Sequence, residues 1–233
     1  ILAVVGASGS GKSSLVRAGL AVALKRAGWT THIMTPTAAP LSRLEAELNP
    51  HHDGALPAAG TPVLLLVDQF EEVFTLCHDE TARAAFVDRL LALSDPGPQT
   101  PSTITVVISL RADFYAHCSQ YPLLRQALAA QQEYIGQMTT AELRCAIEEP
   151  AKRGGWEFEP GLVDLLLHDV GAYTGGTPEP GALPLLSHAM LATWERRRKR
   201  TLTLDGYHAA GGVRGAIAET AESVFTDQLD REQ

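Results

Sequence analysis

Eight residues near the start of the chain, Gly6-Ala-Ser-Gly-Ser-Gly-Lys-Ser13, leave few folds open. They fit the pattern G-x-x-x-x-G-K-[ST] at every position. Glycines at 6, 9 and 11 let backbone N–H groups turn inward around phosphate oxygens. Lys12 supplies a cation for β- and γ-phosphates, and the Ser13 hydroxyl suits Mg²⁺. Ser8, Ser10 and Ser14 complete the candidate contact set. The apolar, β-prone run Ile1–Val5 precedes the motif and reads as a buried parallel strand. After it, Lys12 to Ala27 carries Leu15, Ala18, Leu20, Val22 and Leu24 and stops before Gly28, which predicts a helix with a glycine stop. That helix aims the positive end of its dipole at the anion. The bland alternative is a Gly-rich turn with no ligand.

Further strands are predicted over Thr30–Met34, Val63–Val67, Thr103–Leu110 and Glu133–Met138, and helices over Pro40–Asn49 and Asp79–Leu93. His51–Thr61 reads as a loop and Asp95–Ser102 as a Pro-rich connection. Strands alternating with helices predict an α/β fold with a doubly wound parallel sheet over residues 1–139. Beyond 139 the strands are expected to cease. Helices are predicted at Thr140–Arg153, Pro160–Val170 and Ala182–Arg200, a helical module over 140–200. The first has a capping-box-like opening at Thr140, with Glu142 displaced by one. From Thr201 the composition changes again: Leu202, Leu204 and Tyr207, a turn at Gly211-Gly212, and a helix from Val213. This is expected to be the start of a third module over 201–233, cut short. The opening on a core strand without an initiator Met suggests a fragment of a longer protein.

Two further strand ends carry chemistry. Val63-Leu-Leu-Leu-Val-Asp68 ends in a carboxylate, which in a phosphate-loop fold anchors Mg²⁺ from behind its direct ligands. Glu71 and Glu72 follow, and one of them can polarise an attacking water; the alternative is a pair of surface acids at a helix start. Val106-Val-Ile-Ser-Leu-Arg111 ends in arginine, whose guanidinium would face a γ-phosphate at the carboxyl edge of the sheet. Its alternative is an ion pair with Asp113. Gly181-Ala-Leu-Pro184 opens a helix and is unremarkable by itself.

Bulk properties narrow the classes further. The net charge of −8 argues against sequence-independent nucleic-acid binding, which needs a basic face. The apolar runs are too short to span a bilayer. Three cysteines, Cys77, Cys118 and Cys145, have no close spacing for zinc or redox chemistry, and they fit a reducing, cytoplasmic setting. His51-His52 has no acidic or Cys partners at ligand spacing. The basic run Arg196–Arg200 suits a helix C-terminus, and Trp29, Trp156 and Trp194 read as packing residues.

The phosphate loop with its extension Ser14-Leu-Val-Arg-Ala-Gly19, the stretch Val67-Asp-Gln-Phe-Glu-Glu-Val-Phe74, and Leu110-Arg-Ala-Asp-Phe-Tyr115 together resemble the STAND class of signal-transduction ATPases. Gly181-Ala-Leu-Pro-Leu-Leu186 and Gly211-Gly-Val-Arg-Gly-Ala216 also match. The chain looks most like the bacterial novel STAND NTPase domains, often found beside β-propeller repeats or kinase domains. The resemblance implies an ATPase core, a helical lid and a winged-helix segment. It implies that Lys12 and Ser13 contact phosphate and Mg²⁺, and that Asp68 is the Walker B acid. Glu71 and Glu72 would be the acidic pair that follows, Arg111 the sensor, and Pro184 the lid proline near adenine. ATP/ADP and Mg²⁺ are the implied cofactors. Neighbouring domains of the parent chain, and a nucleotide-dependent homo-oligomer, are the implied partners. The Gly-Arg motif that relatives often carry ahead of the first strand is missing. The winged helix is cut short, so its histidine has no assignment, although His208 is nearby.

An ATP-dependent switch with slow turnover is the leading reading. An ABC transporter ATPase needs a Leu-Ser-Gly-Gly-Gln-like signature and a wider Walker spacing, yet only 55 residues lie between Lys12 and Asp68. A small-molecule kinase would carry a short Arg-rich lid. No lysine sits in Asn-Lys-x-Asp, which leaves ATP over GTP by elimination. A non-hydrolysing scaffold is the third possibility, and the complete set of phosphate and Mg²⁺ residues counts against it.

Overall fold

A computed structural model of the chain describes residues 1–48, 60–95, 103–172, 181–213 and 215. The chain forms two compact units, Ile1–Gly136 and Gln137–Gln233. The first is built on five parallel strands: β1 (Leu2–Gly6), β2 (Thr30–Met34), β3 (Val63–Val67), β4 (Ile104–Arg111) and β5 (Gln132–Ile135). Their order is β2-β3-β4-β1-β5, and every pairing is parallel. β4 therefore lies between the strand that leads into the glycine loop and the strand that ends at Asp68.

Both faces of the sheet are covered, which is why its strands read as unbroken apolar runs. Alternate residues divide between the faces. Ala3, Val5, Leu65, Val67, Val106, Ile108 and Leu110 pack with Phe70, Phe86, Leu90 and Leu124. Val4, Leu64, Leu66 and Val107 pack with Val16 and Ala21 of the first helix. Helices at Pro40–Leu48, Glu80–Ser94 and Pro122–Ala130 serve the first of these cores. Asp79 caps the second of them by accepting from Thr81 N and Ala82 N.

The first helix departs from the regular period expected of it. It is α-helical at Lys12–Ser14, π-helical at Leu15–Ala21 and α-helical again at Val22–Arg26. A wide i→i+5 stretch leaves an apolar pattern close to that of an α-helix, so periodicity does not reveal it. The short helix Glu72–Thr75, the 3-10 segment Ala112–Gln120 and the helix Pro122–Ala130 were not expected. Each is too short to show a period, although Pro122 at a helix start is a local signal.

In the second unit the helix Thr140–Gly154 begins with a complete capping box, but on Thr139 rather than Thr140. Thr139 N donates to Glu142 Oε2 at 2.7 Å, and Glu142 N donates to Thr139 Oγ1 at 3.3 Å. Two helices follow, Leu162–Asp169 and Ala182–Glu195. The expectation that strands cease after 139 is corrected: β6 (Glu157–Phe158) pairs in parallel with β7 (Thr201–Leu202). Strands of two residues carry no alternation to read. Leu202 and Tyr207 share one core with Leu143, Leu166 and Leu186, so residues after 201 pack with the helices before them.

The last of those helices ends at Glu195, five residues before the predicted end. The reason is a cation–aromatic cluster. The Arg197 guanidinium lies 3.9 Å from the Trp194 ring centroid and 5.1 Å from that of Trp156. Arg200 lies over Trp156 and donates to Gly155 O at 2.7 Å. The basic run thus turns back on its own tryptophans, which carry arginines as well as packing. Arg196 and Arg197 also donate to the last helix carbonyls, at Ala192 and Trp194. Residues 51–59 of the predicted loop, most of the Pro-rich connection and the helix beyond 215 lie outside the described residues.

Leu65 is fully buried in β3, between two parallel neighbours. Leu65→Ala is expected to destabilise the first unit by about 2–5 kcal/mol, seen as a lower urea midpoint.

Candidate nucleotide site

The strand registers assemble the site. Gly6 is level with Arg111 of β4 on one side and Ile135 of β5 on the other. Val67 is level with Ile108, which sets Asp68 beside Ser109. The glycine loop, Asp68 and Arg111 therefore all emerge at the carboxyl edge of the sheet, the edge where ligands of open α/β sheets bind.

The loop is shaped by its glycines. A Cβ on Gly6 would collide with the Ile135 carbonyl oxygen and lie 2.9 Å from Ser10 Oγ. Gly9 and Gly11 have φ of 73° and 91°, the left-handed region that L side chains rarely enter. Ser10 Oγ is buried without a hydrogen-bond partner among the described residues. An unpaired buried hydroxyl is costly, and one inside a phosphate loop fits an anion acceptor. Ser8 and Ser14 are exposed at the loop's rim.

Lys12 is 7% exposed and curls over the loop, donating to Gly6 O at 2.9 Å and Ala7 O at 2.7 Å. Burial pulls its pKa below the usual lysine value, and Arg111 adds to that effect; Glu71, Asp68 and Asp113 oppose it. Ser13 Oγ donates to Asp68 Oδ1 at 3.0 Å. Donation in that direction leaves the Ser13 lone pairs free for a cation. Asp68 is 1% exposed. Burial pushes its pKa up, but hydrogen bonds from Ser109, Arg17 and Ser13 outweigh burial and hold the carboxyl below the usual range.

The acidic pair is split by the turn into the helix Glu72–Thr75. Glu71 Oε2 accepts from Arg111 N at 3.2 Å and is among the charges that act on Lys12. Glu72 Oε2 accepts from Thr37 N, also at 3.2 Å, and so ties down the segment after β2. Arg111 forms the ion pair with Asp113 that was its alternative reading, at 2.6 Å, and lies over the Phe114 ring. The hydrogen bonds that Arg111 donates to Asp113 hold the Arg111 pKa above its usual value. Pro184 belongs to the second unit, exposed in the first turn of Ala182–Glu195.

Three contributors escaped the sequence reading. Ser109 donates to Asp68 Oδ1; a lone serine in an apolar strand was the available signal. Gln69, with φ of 54°, turns its N–H back to Asp68 Oδ1 at 3.0 Å, which no sequence pattern reveals. Arg17 Nε donates to Asp68 Oδ2 at 2.5 Å.

The residues fit a nucleotide with Mg²⁺. Loop N–H groups, Ser10 and Lys12 would hold phosphates, Ser13 would ligate the metal, and Asp68 would stand behind it. Among the described residues no cluster of three His, Cys, Asp or Glu side chains forms a self-contained metal site, so most of the metal's ligands would come from phosphate and water. No helix of the described residues is long and apolar enough to cross a membrane.

A parallel sheet with a glycine loop after β1, a lysine-serine pair at its end and a buried aspartate directly after β3 defines a P-loop nucleotide-binding NTPase domain. The model of the Novel STAND NTPase 1 family matches residues 1–233, and the chain belongs to that family. No curated protein matches it. Among solved structures it is similar to the Aeropyrum pernix ORC2 protein in ADPNP–ADP complexes, with TM-score 0.65, 18% identity, and coverage of 94% of this chain and 62% of that one. Its likeness to CDC6P from Pyrobaculum aerophilum has TM-score 0.57 at 14% identity, covering 91% and 56%. The chain thus spans under two thirds of these neighbours. At such identities the likeness concerns the fold.

Gly6→Ala is expected to cost about 1–3 kcal/mol by forcing the loop off β5. Gly6→Ala should lower the thermal midpoint, whereas a side chain at Gly136, which meets nothing within 4 Å, should leave it near the wild-type value.

Proposed function

We propose that this domain binds ATP with Mg²⁺, hydrolyses it slowly, and serves as a nucleotide-dependent switch within a larger multidomain regulatory protein. The observation that carries the reading is the chain Lys12, Ser13, Asp68: a buried lysine over a glycine loop, and a serine hydroxyl already aligned on a buried carboxylate. Bound Mg²⁺ would supply charge neutralisation at the β- and γ-phosphates. Around it, the loop N–H groups and Lys12 orient the phosphates, and Ser13 presents its lone pairs.

Glu71 is the better candidate of the acidic pair for polarising water. Its carboxylate interacts with Lys12 and Arg111, while that of Glu72 is engaged by Thr37 N. Slow turnover is expected because no arginine finger is evident in the sequence, and the guanidinium of Arg111 is paired with Asp113. It must leave that carboxylate before it can meet a γ-phosphate. Pro184 and the second unit would act as the lid that senses nucleotide. Neighbouring domains, either β-propeller repeats or an effector, would receive the signal, with nucleotide-dependent homo-oligomers as one output. The free cysteines Cys77, Cys118 and Cys145 favour a cytoplasmic setting.

Lys12→Ala is expected to weaken Mg·ATP binding by about tenfold to a hundredfold, because phosphate loses its charged donor; unchanged affinity in calorimetry would remove the P-loop assignment. Glu71→Gln should keep affinity within about threefold and lower the phosphate-release rate by about a hundredfold or more. Glu72→Gln should slow release far less. The reverse ranking would transfer the role to Glu72.

A further inference from the structure

Arg17 lies in the π-helical stretch Leu15–Ala21, directly after the glycine loop. Its Nε donates to Asp68 Oδ2 at 2.5 Å, although its side chain is 45% exposed and the carboxylate 1%. The two carboxylate oxygens are treated differently. Oδ1 accepts from the neutral donors Ser13 Oγ, Gln69 N and Ser109 Oγ. Oδ2 accepts from Arg17, the one cation hydrogen-bonded to Asp68 among the described residues. Ser13 and Arg17 are four residues apart, so they rise on one side of the helix and grip the same carboxylate, one at each oxygen.

We propose that Arg17 is a positioning residue for the Mg²⁺ ligand Ser13, acting through Asp68. The inference rests on the nucleotide reading given above. A buried carboxylate needs a counter-charge and a fixed rotamer. Arg17 supplies the charge and pins Oδ2. Pinning Oδ2 adds to the hold of Ser109 and Gln69 on Oδ1 and so tightens the carboxylate under the Ser13 hydroxyl. With its hydrogen committed to Oδ1, Ser13 turns its lone pairs to the metal. Without Arg17 the carboxylate loses its counter-charge and its hold at Oδ2, only Ser109 and Gln69 steady Oδ1 from behind, and Ser13 presents a less firmly oriented ligand to the metal. Lys12 and the loop N–H groups do not depend on this chain, so phosphate binding without metal is spared.

The test compares binding of a fluorescent ATP analogue in EDTA and in excess Mg²⁺. Wild type should bind more tightly with Mg²⁺. Arg17→Ala should match wild type within about twofold in EDTA and lose at least about tenfold of the Mg²⁺-dependent gain. Arg17→Lys, which keeps the charge but not the planar Nε contact, should lose about threefold; it decides the matter if Arg17→Ala does not fold. Asp68→Asn should lose the gain as well, and Arg17→Ala should add nothing to it. Equal weakening in both buffers, an unchanged Mg²⁺ gain in both Arg17 variants, or additivity with Asp68→Asn would overturn the role. A wild-type chain that binds the analogue in neither buffer overturns the nucleotide reading and this inference with it. Binding without the Arg17 effect overturns this inference alone.

Discussion

The ionised carboxylate of Asp68, held almost out of water at the end of a fully buried strand, is the constraint on which the site depends. A charge in that place costs several kcal/mol unless it is met by donors. The fold meets it with four donors: Ser13 and Arg17 from the first helix, Ser109 from β4, and the backbone of Gln69, itself a left-handed residue. Those contacts join the glycine loop and its helix to the ends of β3 and β4. The Ser109 contact depends on β4 lying beside β3. A strand order with β1 directly beside β3 would separate Ser109 from Asp68.

Much of the first unit was legible from sequence because its strands are buried on both faces. Continuous apolar runs such as Val63–Val67 are conspicuous, and the glycine loop fixes what comes before and after it. The same logic singled out Lys12, Ser13 and Asp68, which the structure brings to one edge of the sheet, with Ser13 hydrogen-bonded to Asp68. What stayed hidden depends on geometry that spacing does not encode. Arg17 reaches Asp68 only once the first helix and β3 are packed side by side. Gln69 contributes a backbone N–H, which any residue carries. In the second unit the two-residue strands β6 and β7 and the arginine–tryptophan cluster pair segments some forty residues apart, beyond the range of any periodic pattern.

The acidic pair shows how structure divides what sequence leaves equal. Glu71 and Glu72 are adjacent and identical in chemistry, yet one is joined to the backbone of Arg111 and the other to that of Thr37. Thr37 itself has φ of 61°, so the segment after β2 is drawn into a left-handed turn at the point where Glu72 holds it. One acid belongs to the phosphate side and the other to the neighbouring loop. Arg111 carries a similar dual reading: its backbone serves Glu71 while its guanidinium is committed to Asp113. Arg111 and Lys12 both hold protein partners, Asp113 and the carbonyls of Gly6 and Ala7, that a triphosphate could replace, as the proposed switch would need.

A crystal structure of the chain grown with Mg²⁺ and a non-hydrolysable ATP analogue tests this directly. The expected density places the β- and γ-phosphates in the loop Gly6–Ser13, with Lys12 Nζ moved from the carbonyls of Gly6 and Ala7 onto phosphate oxygens. Mg²⁺ should be ligated by Ser13, with Asp68 behind it. Phosphates bound elsewhere, or a loop unchanged with Lys12 still on those carbonyls at saturating nucleotide, would contradict it.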